Sequence, residues 1–441
     1  MTRASSDPGA APDGNELLIG EKVPDARAVG HGPGPPLSEQ AERRAVRQFA
    51  ARVLIFLAPL LAITFLIEAL LWRIGETWPL ERVIRTQEIN PQALFSRRLI
   101  DQGTFRYKYL ETIGQRPSIL VLGSSRLMQF RREMFGRQGA SFYNAGGMIH
   151  SIEDINAFLD RLPPNDTPQM IILGIDFWWL NANTKREAND AFSIGVGEDG
   201  TYSWQGHANV LSFYLRNPSR LGKLFTRSLG RKYDPNAIGL QAAMSGPAFR
   251  RDGSKKFSLR IPKTSEQWQR RLPPTGAIGK LVLEGGTHFA FTDGVSIPLL
   301  EQLRTAVLRL RERNAFLIAY SAPVINEVAR VAATAPRQRE FWKQYHQELP
   351  ALFRSLDIPY YDIITPEQLG LDDRYMRDPY HPHDTFNMYV LQAFCEDPKI
   401  RLLFPDVANI ARLTLASPRT NPLYLDLSAV EDWSRRPGLN R

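Results

Sequence analysis

The hydrophobic residues of this chain are concentrated in short, uninterrupted runs bounded by polar or turn-forming residues. Runs of this kind are typical of parallel strands that are buried on both faces of a sheet. We expect strands of one parallel sheet at these positions. The runs occupy residues 118–123, 140–146, 169–176, 315–323 and 358–364.

Amphipathic stretches separate the apolar runs. The clearest covers residues 298–313, where apolar residues recur at three- and four-residue steps, as they do along one face of a helix. Buried strands that alternate with such helices indicate a parallel sheet with helices on both faces. The pattern predicts an α/β fold with a doubly wound, flavodoxin-like sheet over residues 113–400, followed by a C-terminal extension over residues 401–441.

The interval 182–297 breaks this rhythm. It is rich in Asn, Gly, Lys and Arg and contains turn-forming sequences such as GVGEDG and LEGGTH. A structureless loop of this length is uncommon inside a compact domain. We therefore expect an inserted subdomain that caps the carboxyl edge of the sheet.

One apolar run is much longer than the others. Residues 53–72 provide the roughly 20 residues that a helix needs to cross a hydrocarbon core of ~30 Å. Pro59 is tolerated in membrane helices, and Trp72 suits the aromatic belt at the interface. A buried helix of a soluble protein and a cleaved signal peptide are the alternatives, but the run starts late and no small-residue cleavage site follows it. We expect a transmembrane helix.

The segments on either side of this run differ in their capacity to fold. Residues 1–52 begin rich in Pro and Gly, end basic, and lack the apolar residues that a core requires. Residues 73–112 are expected to form a helical linker to the folded domain. Because everything foldable follows the span, we predict a disordered cytoplasmic tail and a folded domain outside the cytoplasmic membrane.

Charge and composition narrow the classes of partner. The formal net charge is +9, but the basic residues are scattered in short pairs such as Lys255 and Lys256. Because no nucleic-acid-binding motif is present, a solvated basic surface explains the charge better than a nucleic-acid partner. Cys395 is the single cysteine, and no C-x-x-C or H-x-x-x-H pattern indicates a metal site. We expect no metal and no other cofactor.

Two serines follow the first predicted strand. Ser124 and Ser125 lie where that buried strand gives way to a polar segment. In doubly wound sheets, ligands bind at the carboxyl ends of the strands, where a serine can meet a base and backbone N–H groups can hold an oxyanion. The alternative is that both serines only cap a helix.

A late Asp/His pair could supply the base. Asp378 and His381 are three residues apart on a loop stiffened by Pro379 and Pro382. A serine hydroxyl needs a neighbouring base to become a nucleophile, and histidine serves when a carboxylate holds one tautomer. His383 is a rival base without an Asp at the same spacing. An incidental surface loop is the alternative.

With these segments the chain resembles the SGNH/GDSL hydrolase superfamily. Members carry a nucleophilic Ser in a G-D-S-type segment after the first strand and a D-x-x-H segment near the end. Here G-S-S maps the nucleophile to Ser125, and Asp378 and His381 match D-x-x-H, including the Pro382 that often follows. The resemblance implies an SGNH-type sheet and a Ser-His-Asp triad.

The other two family segments depart from the pattern. The family's oxyanion-binding Gly maps to Ile149, so Gly146 or Gly147 would have to serve through a shifted backbone. Asp176 stands where the family's oxyanion-binding Asn is expected. An ionised carboxylate cannot donate a hydrogen bond. Asp176 must then be displaced, be protonated, or belong to a protein whose native reaction is not hydrolysis.

The G-S-S-R form and the single membrane span resemble one branch of that superfamily, the membrane-anchored envelope proteins. Relatives include the D-alanine transfer protein of teichoic acids and the acetylation proteins of alginate. The resemblance implies an inner-membrane, single-pass protein with a periplasmic domain. Arg126, next to the expected nucleophile, could bind an anionic substrate or pair with Asp176.

The branch leaves three readings of the function. The first is a serine esterase or O-acyltransferase acting on acyl, notably acetyl, esters of an envelope polysaccharide. The second is a non-catalytic module that binds polysaccharide or scaffolds a membrane O-acyltransferase partner. The third is a purely structural envelope protein.

Aromatic residues cluster after the third predicted strand. Trp178, Trp179 and Phe177 follow the strand end, and Trp204 lies in the predicted insertion. Such rings can stack on sugars at a cleft, but packing under the cap is the favoured explanation, because aromatic residues contribute strongly to cores.

Overall fold

A computed structural model describes most of the chain. The described residues are 38–97, 103–184, 208, 212–214, 216–230, 234–244, 246–257, 275–428 and 430. The first 37 residues of the predicted tail, Trp204 and parts of the predicted insertion lie outside them. The chain divides into two compact units, Met1–Ala62 and Ile63–Arg441.

Helices and strands alternate over most of the described chain. The helices are α1 (Glu39–Arg73), α2 (Leu80–Ile89), α3 (Gly103–Gln115), α4 (Ile152–Arg161), α5 (Ser219–Ser228), α6 (Leu240–Ala243), α7 (Thr275–Leu283), α8 (Ile297–Glu312), α9 (Asn326–Thr334), α10 (Arg339–Ser355), α11 (Asp384–Phe394), α12 (Pro398–Leu403) and α13 (Val407–Leu415). The strands are β1 (Leu94–Phe95), β2 (Ile119–Gly123), β3 (Phe142–Gly146), β4 (Met170–Ile175), β5 (Ala237–Ile238), β6 (Ala248–Phe249), β7 (Lys255–Lys256), β8 (Phe316–Ser321) and β9 (Tyr360–Tyr361).

The main sheet has five parallel strands in the order β3-β2-β4-β8-β9. Each strand lies within one of the five apolar runs, so the predicted parallel sheet is confirmed. Counted along the chain, the order is 2-1-3-4-5, which is the order of flavodoxin-like doubly wound sheets.

Burial explains why these runs form strands. Every residue of β2, β3 and β4 is buried, which requires cover on both faces of the sheet. α8 packs against α4, and α11 packs against α13. The amphipathic run that predicts a helix over 298–313 corresponds to α8, whose buried apolar side chains include Leu303 and Leu310.

A smaller sheet joins the predicted linker to the predicted insertion. Its order is β5-β1-β6-β7, with β1 parallel to β5 and antiparallel to β6. The turn between β6 and β7 reaches the main domain, because the Asn144 N–H donates to the Asp252 carbonyl at 2.8 Å and the Arg132 N–H donates to the Asp252 carboxylate at 2.9 Å. These two hydrogen bonds hold the turn between β6 and β7 next to the edge strand β3.

The long helix α1 begins in the first unit and ends in the second. It is long and apolar enough to cross a membrane. Its large apolar side chains are exposed from Val53 to Leu66, and burial begins at Ile67. Near the other end of the chain, Val407 and Ile410 of α13 belong to the same apolar core as the main sheet.

Candidate active site

The candidate site lies at the carboxyl edge of the main sheet. β2 pairs with β3 on one side and with β4 on the other. The order in which strands are added to the sheet therefore reverses between β2 and β4. Ser125 begins a short 3-10 turn directly after β2, and Asp176 follows β4. Ligands of doubly wound folds bind at this kind of switch point.

Ser125, His381 and Asp378 form a continuous hydrogen-bonded relay. The Ser125 Oγ lies 2.9 Å from Nε2 of His381. On the opposite side of the ring, Nδ1 lies 2.8 Å from Oδ1 and 2.9 Å from Oδ2 of Asp378. A carboxylate at Nδ1 fixes the tautomer in which Nε2 is free to accept the serine proton. Three residues from two segments that are distant in the sequence thus have the geometry of a nucleophile, a base and an orienting acid.

The loop that carries His381 is held by its own carboxylate. Asp378 Oδ1 accepts hydrogen bonds from the backbone N–H groups of Tyr380 and His381, each at 3.0 Å. Burial opposes the charge, but the His381 ring and these N–H groups together keep the pKa of Asp378 below its usual range. The group beside the imidazole is therefore an ionised acceptor.

Ser124 and Ser125 have different partners. The Ser124 hydroxyl accepts a hydrogen bond from the Arg126 N–H at 3.4 Å and so caps the 3-10 turn. Ser125 faces His381 instead. The rival base, His383, lies at the start of α11 and donates its backbone N–H to the Tyr375 carbonyl at 2.9 Å.

Arg126 connects three strand-end segments around the site. Its Nη1 donates to Oδ1 of Asp176 at 3.0 Å, and its Nε donates to the Tyr380 carbonyl at 3.3 Å. Nη2 donates to the carbonyls of Ala322 and Pro323, which follow β8. Of the two roles left open for Arg126, these contacts support pairing with Asp176, because protein acceptors surround the buried guanidinium.

Asp176 is buried in a site that it shares with Arg126. Burial raises the pKa of its carboxyl, while the Arg126 charge and then the Ser124 hydroxyl oppose that rise. Within the described chain, Oδ2 of Asp176 has no hydrogen-bond partner, although the residue lines the cavity beside Ser125. The carboxylate therefore presents an unused acceptor next to the expected nucleophile.

The predicted oxyanion donors of the β3 loop are already engaged. The Gly146 N–H donates to Oδ1 of Asn144 at 2.8 Å, and the Gly147 N–H donates to the Gly123 carbonyl at 2.8 Å. The Ile149 N–H also donates to Gly123, at 3.2 Å. Neither Gly146 nor Gly147 lines the cavity, so in this conformation neither offers an N–H to an oxyanion there. The Ser125 N–H remains, because no described residue accepts a hydrogen bond from it.

A cavity of about 770 Å³ opens beside Ser125 and His381. It also contains His288, which comes from the predicted insertion and which sequence patterns did not single out. The His288 ring stacks on Trp178 with centroids 3.9 Å apart, and it meets Tyr380 edge-on at 5.7 Å. Burial first, and then the charges of Arg126 and His381, lower the pKa of His288 to about 4. His288 is therefore a neutral imidazole; the LEGGTH turn signal marked its position but not its role.

Several polar atoms around this cavity have no partner among the described residues. They include one indole N–H, two hydroxyls and the free oxygen of Asp176, and they belong to Trp179, Thr184, Tyr380 and Asp176. Buried polar groups ordinarily have hydrogen-bond partners. These four atoms belong to residues that line the cavity, but the atoms are themselves buried.

Neither a second cavity nor a metal site offers comparable chemistry among the described residues. A more open cavity of about 920 Å³ near α2 and α3 has no Ser, Cys or His among its lining residues. Within the described ranges, no group of three or more His, Cys, Asp or Glu side chains could hold a metal ion.

Comparisons with known proteins do not add to this geometry. No family model, no curated protein and no solved structure matches the chain.

Proposed function

We propose that the chain is a membrane-anchored, SGNH-type serine esterase or O-acyltransferase that acts on acyl, notably acetyl, esters of a bacterial envelope polysaccharide. The observation that carries the proposal is the relay from Ser125 Oγ to His381 Nε2 at 2.9 Å and from His381 Nδ1 to Asp378 at 2.8 Å. It lies at the switch point of a parallel sheet, beside a cavity of about 770 Å³.

The relay has the parts for acyl transfer in two half-reactions. Ser125 Oγ attacks the ester carbonyl while His381 Nε2 takes the serine proton. Asp378 accepts a hydrogen bond from Nδ1–H and stabilises the imidazolium without taking its proton. Collapse of the tetrahedral intermediate releases the alcohol, which receives that proton. Water or a sugar hydroxyl then gives its proton to His381 and attacks the acyl-serine, which regenerates Ser125.

Few hydrogen-bond donors are available to stabilise the oxyanion of the tetrahedral intermediate. The Ser125 N–H has no acceptor among the described residues, whereas the Gly146 and Gly147 N–H groups are engaged. Losing one oxyanion donor costs ~3 kcal/mol in known enzymes. A site with few donors favours slow transfer to a positioned acceptor over rapid hydrolysis of esters in bulk water.

The chemistry of the cavity supports a polyhydroxylated substrate. Its lining side chains include both hydrogen-bond donors, such as the amide of Asn183, and acceptors, such as the carboxylate of Glu153. A sugar hydroxyl can accept from the first kind and donate to the second. The stacked Trp178 and His288 rings add a flat aromatic wall.

The length and composition of α1 support a single-pass anchor. We place it in the inner membrane with the Ser125 site on the periplasmic side, because the foldable part of the chain follows the helix. An envelope polysaccharide is then the polymer within reach of the site.

The test uses the full-length protein in detergent and a chromogenic acetyl ester, with and without a sugar acceptor. Wild type should release chromogen in a Ser125-dependent manner and should acetylate the acceptor. Ser125→Ala should do neither while keeping the same unfolding temperature. Turnover that persists in Ser125→Ala would contradict the proposal.

The engaged Gly146 and Gly147 N–H groups favour a second candidate. A non-catalytic SGNH-like module could bind polysaccharide, or scaffold a membrane O-acyltransferase, without an oxyanion hole. This reading predicts saturable binding of the polysaccharide to both wild type and Ser125→Ala, with no turnover by either.

A further inference from the structure

The last turns of α1 are packed against protein. Within the second unit, Ile67, Leu70 and Leu71 form one apolar cluster with Tyr214, Leu224 and Leu240. Leu224 belongs to α5. The Arg73 Nε also donates to the Ser228 carbonyl at 2.9 Å, which satisfies an acceptor at the C-terminal end of α5. α5 is therefore attached to the end of α1 by both packing and a charged hydrogen bond.

The exposed apolar part of α1 is shorter than the whole apolar run of residues 53–72. Its exposed apolar stretch from Val53 to Leu66 covers about 14 residues, or roughly 21 Å of helix. A hydrocarbon core is ~30 Å thick. Arg44, Arg47 and Arg52 precede this stretch, so extension in that direction brings charges into the membrane. Extension in the other direction includes Ile67, Leu70 and Leu71, which belong to the apolar cluster that contains Leu224 of α5.

The surface beside this junction has the residues of a membrane interface. Trp72 is 46% exposed, and the Arg82 guanidinium lies 5.0 Å from its ring centroid. Phe225 of α5 and Leu229, the first residue after α5, are 51% and 49% exposed. The Leu229 N–H still donates to the Phe225 carbonyl at 3.0 Å, so Leu229 remains next to the last turn of the helix. Trp at the end of a span and apolar side chains on a short helix are typical of the boundary between headgroups and acyl chains.

We propose that α5 lies in the membrane interface, with Phe225 and Leu229 inserted at the level where headgroups meet acyl chains. The partner is the lipid bilayer itself. This inference rests on the membrane anchoring in the proposed function, and it adds a second attachment beside α1. Two attachments would restrict rotation of the domain about α1 and hold one face of it toward the membrane.

The experiment measures the depth of single labels in lipid nanodiscs. The full chain is prepared with Cys395→Ala, which keeps a small side chain at that buried position, and a fluorophore is attached to one new cysteine. Phe225→Cys is the test. Phe56→Cys on α1, where the native side chain is 81% exposed, is the membrane control, and Leu402→Cys on α12, 82% exposed, is the water control. Quenching by spin-labelled lipid is compared among the three.

The label at Phe225 should be quenched several-fold more strongly than the label at Leu402 and should be inaccessible to a water-soluble quencher. Quenching equal to that at Leu402, with strong quenching at Phe56, would overturn the interfacial position of α5 and leave the anchor intact. Weak quenching at Phe56 would overturn the anchor, and the position of α5 with it. A Leu229→Cys label should give the same result as Phe225→Cys if substitution of Phe225 perturbs the helix.

Discussion

Arg126 donates a hydrogen bond from Nη1 to Oδ1 of Asp176 at 3.0 Å, and the two side chains are 1% and 0% exposed. The pair connects the segment after β2 to the segment after β4. It neutralises the carboxylate that stands where a hydrogen-bond donor is expected in an SGNH-type site. It also leaves Oδ2 of Asp176 free beside the cavity.

Asp176→Asn should raise esterase activity on small acetyl esters. The amide oxygen can keep the Arg126 contact while the NH₂ group replaces Oδ2 and supplies a donor, which could increase kcat by up to ~10²-fold. Stability should fall by ~3 kcal/mol, because the buried Arg126 loses its ionic partner. Steady-state kinetics and denaturant unfolding check both effects.

Asp176→Ala is the matched control for that substitution. It removes the ion pair without adding a donor, so it should destabilise the protein and leave kcat no higher than in wild type. If Asp176→Asn instead abolishes activity in a folded protein, the carboxylate is itself required and the missing donor is not what limits the rate.

Ser125→Ala should lower kcat by about 10⁴-fold or more, because the hydroxyl that contacts His381 is lost. Ser124→Ala should lower activity far less. It removes the cap of the 3-10 turn, at a cost of about 1 kcal/mol in stability. Mass spectrometry of a phosphonate-treated sample should locate the adduct on Ser125. An adduct on Ser124 would show that Ser124 is the nucleophile and would overturn the assignment to Ser125.

His288 should make stability depend on pH. Its ordinary pKa is 6.5, and burial lowers the pKa to about 4 in the folded protein. Between those values the unfolded chain binds a proton that the folded protein does not bind, so stability falls as pH falls from about 6.5 toward 4. His288→Phe, which keeps a ring against Trp178, should lose less stability between pH 7 and pH 5 than wild type.

Denaturant unfolding at several pH values checks this difference. Other titrating groups are common to both proteins, so subtraction of the two profiles isolates the contribution of His288. Identical profiles would mean that His288 does not titrate as its buried position implies.

Protease added to intact spheroplasts should digest the domain that follows α1, because we place that domain on the outer side of the membrane. A tag fused before residue 39 should remain protected until the cells are lysed. Protection of the domain until lysis, with digestion of the tag in intact spheroplasts, would reverse the expected topology.

The sequence by itself determined the elements that depend on local pattern. Side chains point alternately to the two faces of a strand, so a continuous apolar run must be buried on both faces of a sheet. Each of the five runs contains a strand of the main sheet. The spacing of Asp378 and His381 is also local, since three residues on a short loop suffice to bring the carboxylate to the ring. The long apolar helix follows in the same way from composition and length.

Only the tertiary structure decided how distant segments meet. Ser125 and His381 are 256 residues apart, and their contact depends on the strand order that brings two loops to one edge of the sheet. The choice of Asp176 as the partner of Arg126, the engagement of the Gly146 and Gly147 N–H groups, and the entry of His288 into the cavity depend on the same assembly. Local sequence patterns carry no record of these contacts, because a donor's partner is set by which acceptors the packed fold places within about 3 Å of it.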